Sequence, residues 1–422
     1  MAAATGHGTN SAQIRQHNQR VVLQRLRRLG AASKADLARA VGLTNVTVGQ
    51  IIGDLAELGI VRTVGRLHTG ERGQPAMMLR LDPSGACGIG VRLDRSRIET
   101  ALVDLGGSVL AHRSHDLPLP PPDETLSLVC DDIEQLLAEA APRDRRRVTG
   151  IGLARPFNLA SWLRQLDTGA AAPPAGLPEW DATDFAASLA RATGFTTFQE
   201  NDGTAAAIAE LLYGRGQEAD SFLYLFIGPA IGGGVVLGGN YLRGVSDNAG
   251  DVAMMPVAPS TLPSAPRPGG GTDLLITRAS LNALIRHLRF CGVAITGAAE
   301  LPQAMAAHRG PVLEWIADCA DALVGPIMAA RALLDMPAVV IDSDMERSWT
   351  ELLVQRLETA LQAAVAEART PPRLDIGRFG AMAGALGAAS LPLFVHFGPP
   401  PGIPTGGDGR GTTGVDEHAA IA

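Results

Sequence analysis

Apolar residues recur three and four positions apart at Val48, Ile51, Ile52, Leu55 and Leu58, the period of one buried helical face. Thr44 stands where that helix would be capped, and Asn45, Thr47 and Gln50 fall on the opposite, early face. Upstream, Leu37, Ala38 and Val41 give a shorter helix an inward stripe. Ser33 and Asp36 have the spacing of a capping box, and Gly42 breaks the helix. A longer helix over about Gln13 to Leu29, closed by Gly30, precedes both. Strand-like runs at Ile60 to Leu67 and Ala76 to Leu81 flank a polar loop, HTGERGQP, with two glycines and a proline.

Two short helices joined by a glycine turn, then a hairpin with a polar tip, predict a winged helix-turn-helix. In such a unit the first residues of the second helix enter the major groove, where short amides and hydroxyls pair with base edges. The expected DNA-binding residues are therefore Ser33, Thr44, Asn45, Thr47 and Gln50, with Arg66, Arg72 and Gln74 touching phosphate or minor groove from the wing. The unit closes at Leu81, and the break Asp82-Pro83-Ser84-Gly85 reads as a linker or hinge.

From Ala86 the pattern becomes α/β. GIGVRL is a strand, IETALVDLGGSVLAH a hairpin, Glu124 to Ala141 an amphipathic helix and VTGIGLA a further strand. A second set follows: a helix over Ala182 to Thr193, a strand at Thr196 to Gln199, a helix over Gly203 to Tyr213, and the hairpin FLYLFIGPAIGGGVVLGGNYL. The remainder is mainly helical, with Val339 to Ile341 as a strand. After Phe397 the run GPPPGIPTGGDGRGTTG cannot bury a core, so a disordered tail over 399–422 is expected.

Charge strengthens the reading of the N-terminal unit. Residues 1–82 carry eleven Lys and Arg against five Asp and Glu, a net of +6, so the rest of the chain holds −13 of the total −7. Concentrated positive charge suits phosphate contacts, although a helical bundle with a solvated basic face has the same composition. Cys87, Cys130, Cys291 and Cys319 are widely spaced and lack CxxC pairing, so they read as thiols in a reducing cytoplasm. No secretory signal is visible at the start. The uncharged run Ser221 to Leu242 contains Pro229 and six glycines, which favours two strands around a loop over a membrane span.

Taken in order, NQRVVLQRLRRLGAASKADLARAVGLTNVTVGQIIGDLAELGIVR with the wing ERGQP, then GGSVL, ENDGTAAAIAE, GPAIGGGVVLGGNYLRG and GAMAGALGAA resemble the ROK family, named for repressors, open reading frames and kinases, in its regulator branch. The resemblance runs from Asn18 to about Leu393. It implies a winged helix-turn-helix over 1–82 followed, over 83–398, by an α/β domain of two actin/hexokinase-like (ribonuclease H-like) lobes around a cleft.

The departures from the family pattern carry information. The kinases' phosphate hairpin, aspartate-glycine-glycine-threonine, is here Arg92-Leu93-Asp94-Arg95-Ser96, with bulky residues where glycines would let amides approach phosphate. The second phosphate loop reads Gly228-Pro229-Ala230, and proline lacks an amide donor. Near the adenosine end, a double glycine is replaced by Asp342-Ser343. Asp202 matches the kinases' general base and has Asn201 beside it. Capping of the helix from Gly203 and contact with a sugar are both open to this pair. The family's glycine-glutamate-x-glycine-histidine reads Gly250-Asp251-Val252-Ala253-Met254, and Leu274 and Leu275 stand where a zinc-binding cysteine would be. No metal and no cofactor are expected.

The expectation is a transcriptional regulator, not an enzyme, binding double-stranded operator DNA as a homodimer or homotetramer. A sugar or sugar derivative is its candidate effector, held by Asn201, Asp202 and Asp251. The rivals are a sugar kinase with a DNA-binding appendage and a ligand-blind regulator that uses the cleft domain as a scaffold.

Overall fold

The computed structural model describes residues 11–67, 76–157, 159, 177–266, 271–364 and 370–400. The N-terminal unit contains α1 (Ser11–Leu29), β1 (Ala32–Ser33), α2 (Lys34–Val41), α3 (Asn45–Glu57), β2 (Val61–Leu67) and β3 (Ala76–Leu81). Local chemistry sets its boundaries. The Asp36 amide donates to Ser33 Oγ at 3.1 Å and the Ser33 amide to Asp36 Oδ2 at 3.2 Å, completing the capping box. Gly42, at φ 68°, ends α2 in the left-handed region, where a side chain is strained. Thr44 Oγ1 caps α3 by accepting from the Thr47 amide at 3.1 Å. Val22, Leu26, Leu37, Val48, Ile52 and Leu55 close the core. A two-residue strand that periodicity could not reveal, β1, pairs Ala32 with Leu79 and completes a sheet of order β1-β3-β2.

The first lobe follows with β4 (Cys87–Leu93), β5 (Ile98–Asp104), β6 (Val109–His115), α4 (Pro122–Glu139), α5 (Pro142–Arg145), β7 (Val148–Arg155), α6 (Leu177–Ala182), α7 (Phe185–Thr193) and β8 (Thr197–Asn201). Its sheet order is β6-β5-β4-β7-β8. The helix expected over Ala182 to Thr193 instead starts at Phe185, because Asp184 caps it by accepting from the Ala187 amide at 3.0 Å. After α8 (Asp202–Tyr213), the second lobe contains β9 (Phe222–Ile227), β10 (Ile231–Leu237), β11 (Asn240–Tyr241), β12 (Pro256–Val257), β13 (Asp273–Leu274), α9 (Leu281–Phe290), α10 (Leu301–Ala307), α11 (Arg309–Leu334), β14 (Ala338–Ser343), α12 (Arg347–Ala364), β15 (Arg373–Ile376) and α13 (Ala383–Phe397). Its main sheet is β11-β10-β9-β14-β15, so each lobe joins an antiparallel hairpin to parallel strands.

Helix α13 binds the parts together. A methyl on Gly152 would lie 1.9 Å from Ala388 O, and one on Gly387 would lie 2.3 Å from Ala205 O. Hydrogen side chains on both surfaces are thus what lets α13 lie flat on β7 and α8. By length and composition the segment Gly380–Phe397 could cross a membrane, but 67% of it is buried inside the protein, as a core helix is. Its last turn reaches the N-terminal unit: Leu393 belongs to that unit's core. Arg20 donates to Val395 O, and Arg27 Nη1 donates to Phe397 O at 3.5 Å.

Two expectations are corrected. Asp82–Gly85 is a packed elbow and not a loose linker. The Asp82 amide donates to Ile60 O at 2.8 Å and the Leu105 amide to Pro83 O at 2.9 Å. Arg147 Nη1 then clamps Leu58 O at 2.6 Å and Gly85 O at 2.9 Å. Two residues assigned to the expected tail are packed: Pro399 is buried, and Asn240 Nδ2 donates to Pro400 O at 2.9 Å. Residues 401–422 lie outside the described residues.

Candidate functional site

Two surfaces collect the residues singled out above. At the start of α3, Thr44, Asn45 and Gln50 are exposed and Thr47 is half-buried. The Thr44 and Thr47 hydroxyls lie 2.9 Å apart. The helix presents little bulk beside them: a methyl on Gly49 or Gly53 would meet nothing within 4 Å. The glycines therefore serve no packing inside the described chain, and their helix cost of ~1 kcal/mol each is unrelieved by it. Ser33 is a correction. It is 6% exposed, and its hydroxyl donates to Asp36 Oδ2 at 2.7 Å, so it is committed to the α2 cap and withdrawn from the outer surface. Arg66 lies on β2 opposite Met77, while Arg72 and Gln74 lie outside the described residues.

The second surface is a cleft between the lobes with about 780 Å³ of open space, its mouth included. The β4–β5 hairpin, the first turn of α8, the loop between β9 and β10, and the segment around Asn248–Val252 surround it. Asn201 caps α8, accepting from the Gly203 amide at 2.9 Å, and Asp202 Oδ1 shares that donor at 2.9 Å. Capping thus accounts for one oxygen of each side chain. Burial pushes the Asp202 carboxyl above its ordinary pKa, Arg92 opposes this, and Asp94 adds to it. Across the cleft, Asn248 Nδ2 donates to Asp251 Oδ2 at 2.9 Å; burial raises the Asp251 pKa against that hydrogen bond. Amides and carboxylates gathered in this way can exchange hydrogen bonds with hydroxyl groups.

At the three places where the family resemblance sets the kinases' nucleotide contacts, the side chains and amides make bonds within the chain. Arg92 is 6% exposed and faces its cross-strand partner Glu99, with Nη1 2.7 Å from Glu99 Oε2. Its shaft rests on Gly384, where a methyl would come within 2.4 Å of Cδ. Burial disfavours the Arg92 charge, but Glu99 and Asp94 more than compensate and raise its pKa. In the next loop the Gly228 amide donates internally to Ala230 O at 3.1 Å, and Pro229 has no amide hydrogen. At the third place, the buried Asp342 carboxylate accepts from the Ser343 amide at 3.0 Å and the Gly380 amide at 3.0 Å. An aspartate of the protein occupies amides that would otherwise be free for an anion. Nearby Asp344 is raised to about 6 by burial, against the pull of Arg92, and its Oδ1 has no hydrogen bond among the described residues.

The zinc that the resemblance implied does not fit the residues at its place. Leu275 is buried in the second lobe's core and Leu274 packs against it, while Ala253 and Met254 form part of an apolar turn. Trp180 is fully buried, with Nε1 donating to Pro120 O at 2.9 Å and its ring 4.9 Å from Phe185, so it packs the first lobe. Sequence reasoning missed a different group: His287, Cys291 and Glu314 come together at the end of α9 and on α11. The i,i+4 spacing of His287 and Cys291 was the available signal.

The match to known proteins follows this architecture. The family model described as "ROK family" matches residues 88–393. An uncharacterized protein, y4fQ, of Sinorhizobium fredii is 28% identical over 384 residues, covering 90% of this chain and 91% of that protein. The xylose repressor of Bacillus subtilis is 23% identical over 244 residues, 58% of this chain and 61% of the repressor. Among solved structures, a ROK family transcriptional regulator described as a homologue of the Escherichia coli MLC protein shares the fold at a TM-score of 0.66 and 23% identity. That likeness covers 92% of this chain and 98% of the other. With two lobes, a shared cleft and a family match over most of its length, this chain belongs to the ROK family.

Proposed function

We propose that the protein is a DNA-binding transcriptional regulator, a repressor of carbohydrate-related genes, whose cleft binds a sugar or sugar derivative without phosphorylating it. Residues 1–82 act as a winged helix-turn-helix and 83–398 as the sensing domain, in the cytoplasm. The observation that carries the reading is the contrast inside the cleft. Donors at the nucleotide end are taken up by Glu99, Ala230 and Asp342, whereas Asn201, Asp202, Asn248 and Asp251 line open space. The exposed start of α3 and the +6 charge of its unit support DNA as the partner. The xylose repressor supports the assignment by its name alone.

A homodimer or homotetramer would set two α3 helices on half-sites ~34–36 Å apart. Helix α13 offers the route by which ligand could alter that spacing. Its first turn backs Arg92 at the cleft, and its last turn is held by Arg20 and Arg27 of α1. A ligand shifts this equilibrium only by its difference in affinity between two lobe arrangements.

The test is protection of genomic fragments by purified protein, with and without a carbohydrate panel, alongside a coupled ATP-consumption assay. Protection of a pseudo-palindromic site, altered by one sugar and without turnover, is the expected result. Equal binding to random duplex or enzyme-like phosphorylation overturns the proposal. Asp202 favours the kinase alternative, since it stands at the cleft where a general base would be needed. Asp202→Asn separates the two readings. A kinase loses turnover, whereas a regulator loses the ligand's stabilisation, ~2.7 kcal/mol at a hundredfold its Kd. If no carbohydrate stabilises the wild type, the ligand-blind alternative replaces the sensor reading.

A further inference from the structure

We propose that His287, Cys291 and Glu314 form a divalent-metal site of zinc type on the second lobe, separate from the cleft and from the place where the family resemblance implied zinc. His287 lies in the last turn of α9, and Cys291, four residues on, caps the same helix, so both side chains share one face. Glu314 comes from the second turn of α11. His287 Nε2 is 3.1 Å from Glu314 Oε2 and 3.8 Å from Cys291 Sγ, and the three ligand atoms lie within 4.8 Å of one another. Tetrahedral zinc, with bonds of ~2.0 Å to nitrogen and oxygen and ~2.3 Å to sulfur, sets its ligand atoms roughly 3.3–3.6 Å apart. Closing the site from that span takes movements of about an ångström in the two exposed side chains, within the reach of a rotamer adjustment.

The imidazole is already held in the orientation a ligand needs. His287 is 1% exposed, and its Nδ1 lies 2.8 Å from Ser264 Oγ. With Nδ1–H donating to that hydroxyl, the Nε2 lone pair faces the carboxylate and the thiol, the outer-shell arrangement common to metal-binding histidines. Cys291 and Glu314 are exposed, so a fourth position opens to water. The ordinary alternative is an imidazole–carboxylate hydrogen bond with a thiol alongside. It accounts for the 3.1 Å contact but gives no role to three different donor atoms converging on one point. A metal here would pin the end of α9 to α11. The opposite end of α9 is tied to the cleft loop, since the Leu281 amide donates to Gly228 O at 2.8 Å.

The experiment uses the full-length protein stripped with a chelator and titrated separately with Zn²⁺ and Co²⁺. One equivalent of Zn²⁺ should bind and raise the melting temperature, and Co²⁺ should give tetrahedral d–d bands with a thiolate-to-cobalt charge-transfer band. Cys291→Ser, at an exposed position, should abolish the charge-transfer band and the zinc-dependent rise in melting temperature while leaving metal-free melting unchanged. Ser264→Ala should weaken Zn²⁺ binding ~10–100-fold, as loss of an orienting partner does. Failure to bind Zn²⁺ in competition with a mild chelator, or a charge-transfer band that persists in Cys291→Ser, overturns the site.

Discussion

Two regions of this molecule are rich in hydrogen-bond donors, and they treat those donors in opposite ways. At the nucleotide end of the cleft the chain supplies its own counter-groups, with Glu99 against Arg92 and Asp342 against the amides of Ser343 and Gly380. At the start of α3, Thr44 caps the Thr47 amide and its carbonyl takes the Val48 amide. The Asn45 and Val46 amides donate to no acceptor among the described residues, and the side chains around them are exposed. Helix N-termini left in that condition attract anions. A satisfied donor stabilises the fold, and an unsatisfied exposed one is available to a partner. Substitutions in the first region should therefore move stability, and those in the second should move DNA binding.

The largest effect is expected from Arg92→Met. Removing one member of a buried pair leaves Glu99 uncompensated, which typically costs about 3–5 kcal/mol. Burial works to raise the Glu99 pKa, but the His112 hydrogen bond and Arg92 hold it below its ordinary value. Without Arg92 the pKa should climb above that of the unfolded chain. A group raised in this way favours the folded state below its unfolded pKa and loses that contribution as pH rises. The deficit in denaturant unfolding should thus be largest at neutral pH and shrink on acidification. A loss below about 1 kcal/mol would mean that the pair is solvated and the nucleotide end less closed than its geometry indicates.

Asp344 tests the same region with the opposite sign. Its folded pKa of about 6 exceeds an unfolded value of ~3.9. Below pH ~4 both states are protonated; between there and about 6 the unfolded chain gives up its proton first, and stability is lost. Asp344→Asn should recover about 1–3 kcal/mol at pH 7 and almost nothing at pH 4. Stability curves that stay parallel across that window would contradict the assignment. Neither substitution should change operator affinity beyond its effect on the folded fraction.

How far the sequence disclosed these differences depended on the range of the interactions involved. The capping box at Ser33–Asp36, the turn at Gly42 and the cap at Thr44 were legible because every partner lies within four residues. The loss of glycines at Asp94 and Arg95 was legible as well. What fills the cleft was not. Arg92 meets Glu99 only through the register of β4 against β5, and Asp342 meets the Gly380 amide from thirty-eight residues away. The elbow at Asp82–Gly85 has linker composition, yet Arg147, from the distant turn that precedes β7, locks it. Ser33 was assigned to DNA from its place in the motif, but the hydrogen bonds that make it a good cap also remove it from the surface. β15 escaped notice because a four-residue edge strand, RLDI, is too short for alternation to stand out.

At the open end, Asn45→Ala should leave stability within about 0.5 kcal/mol, since the residue is exposed and Thr44 retains the cap. Affinity for the operator should fall by about 1–3 kcal/mol, and the loss should disappear on a site altered at the base pair that Asn45 reads. An equal loss on every sequence would reassign Asn45 to backbone contact.

The smallest effect discriminates most finely, because it separates the two functions within one helix. Gly49 lies inside α3 with nothing within 4 Å of an added methyl, so Gly49→Ala should stabilise the free protein by roughly 0.5–1 kcal/mol. If the missing side chain lets the α3 backbone sit close to DNA, the same substitution weakens operator binding while the melting temperature rises. Gly53→Ala, one turn further from the exposed start of the helix and equally open, is the internal control. It should give a similar stability gain with a smaller loss of affinity. Two variants that are both more stable and bind as tightly as wild type would leave the glycines without a DNA role and shift the contact surface toward Thr44, Asn45 and Gln50.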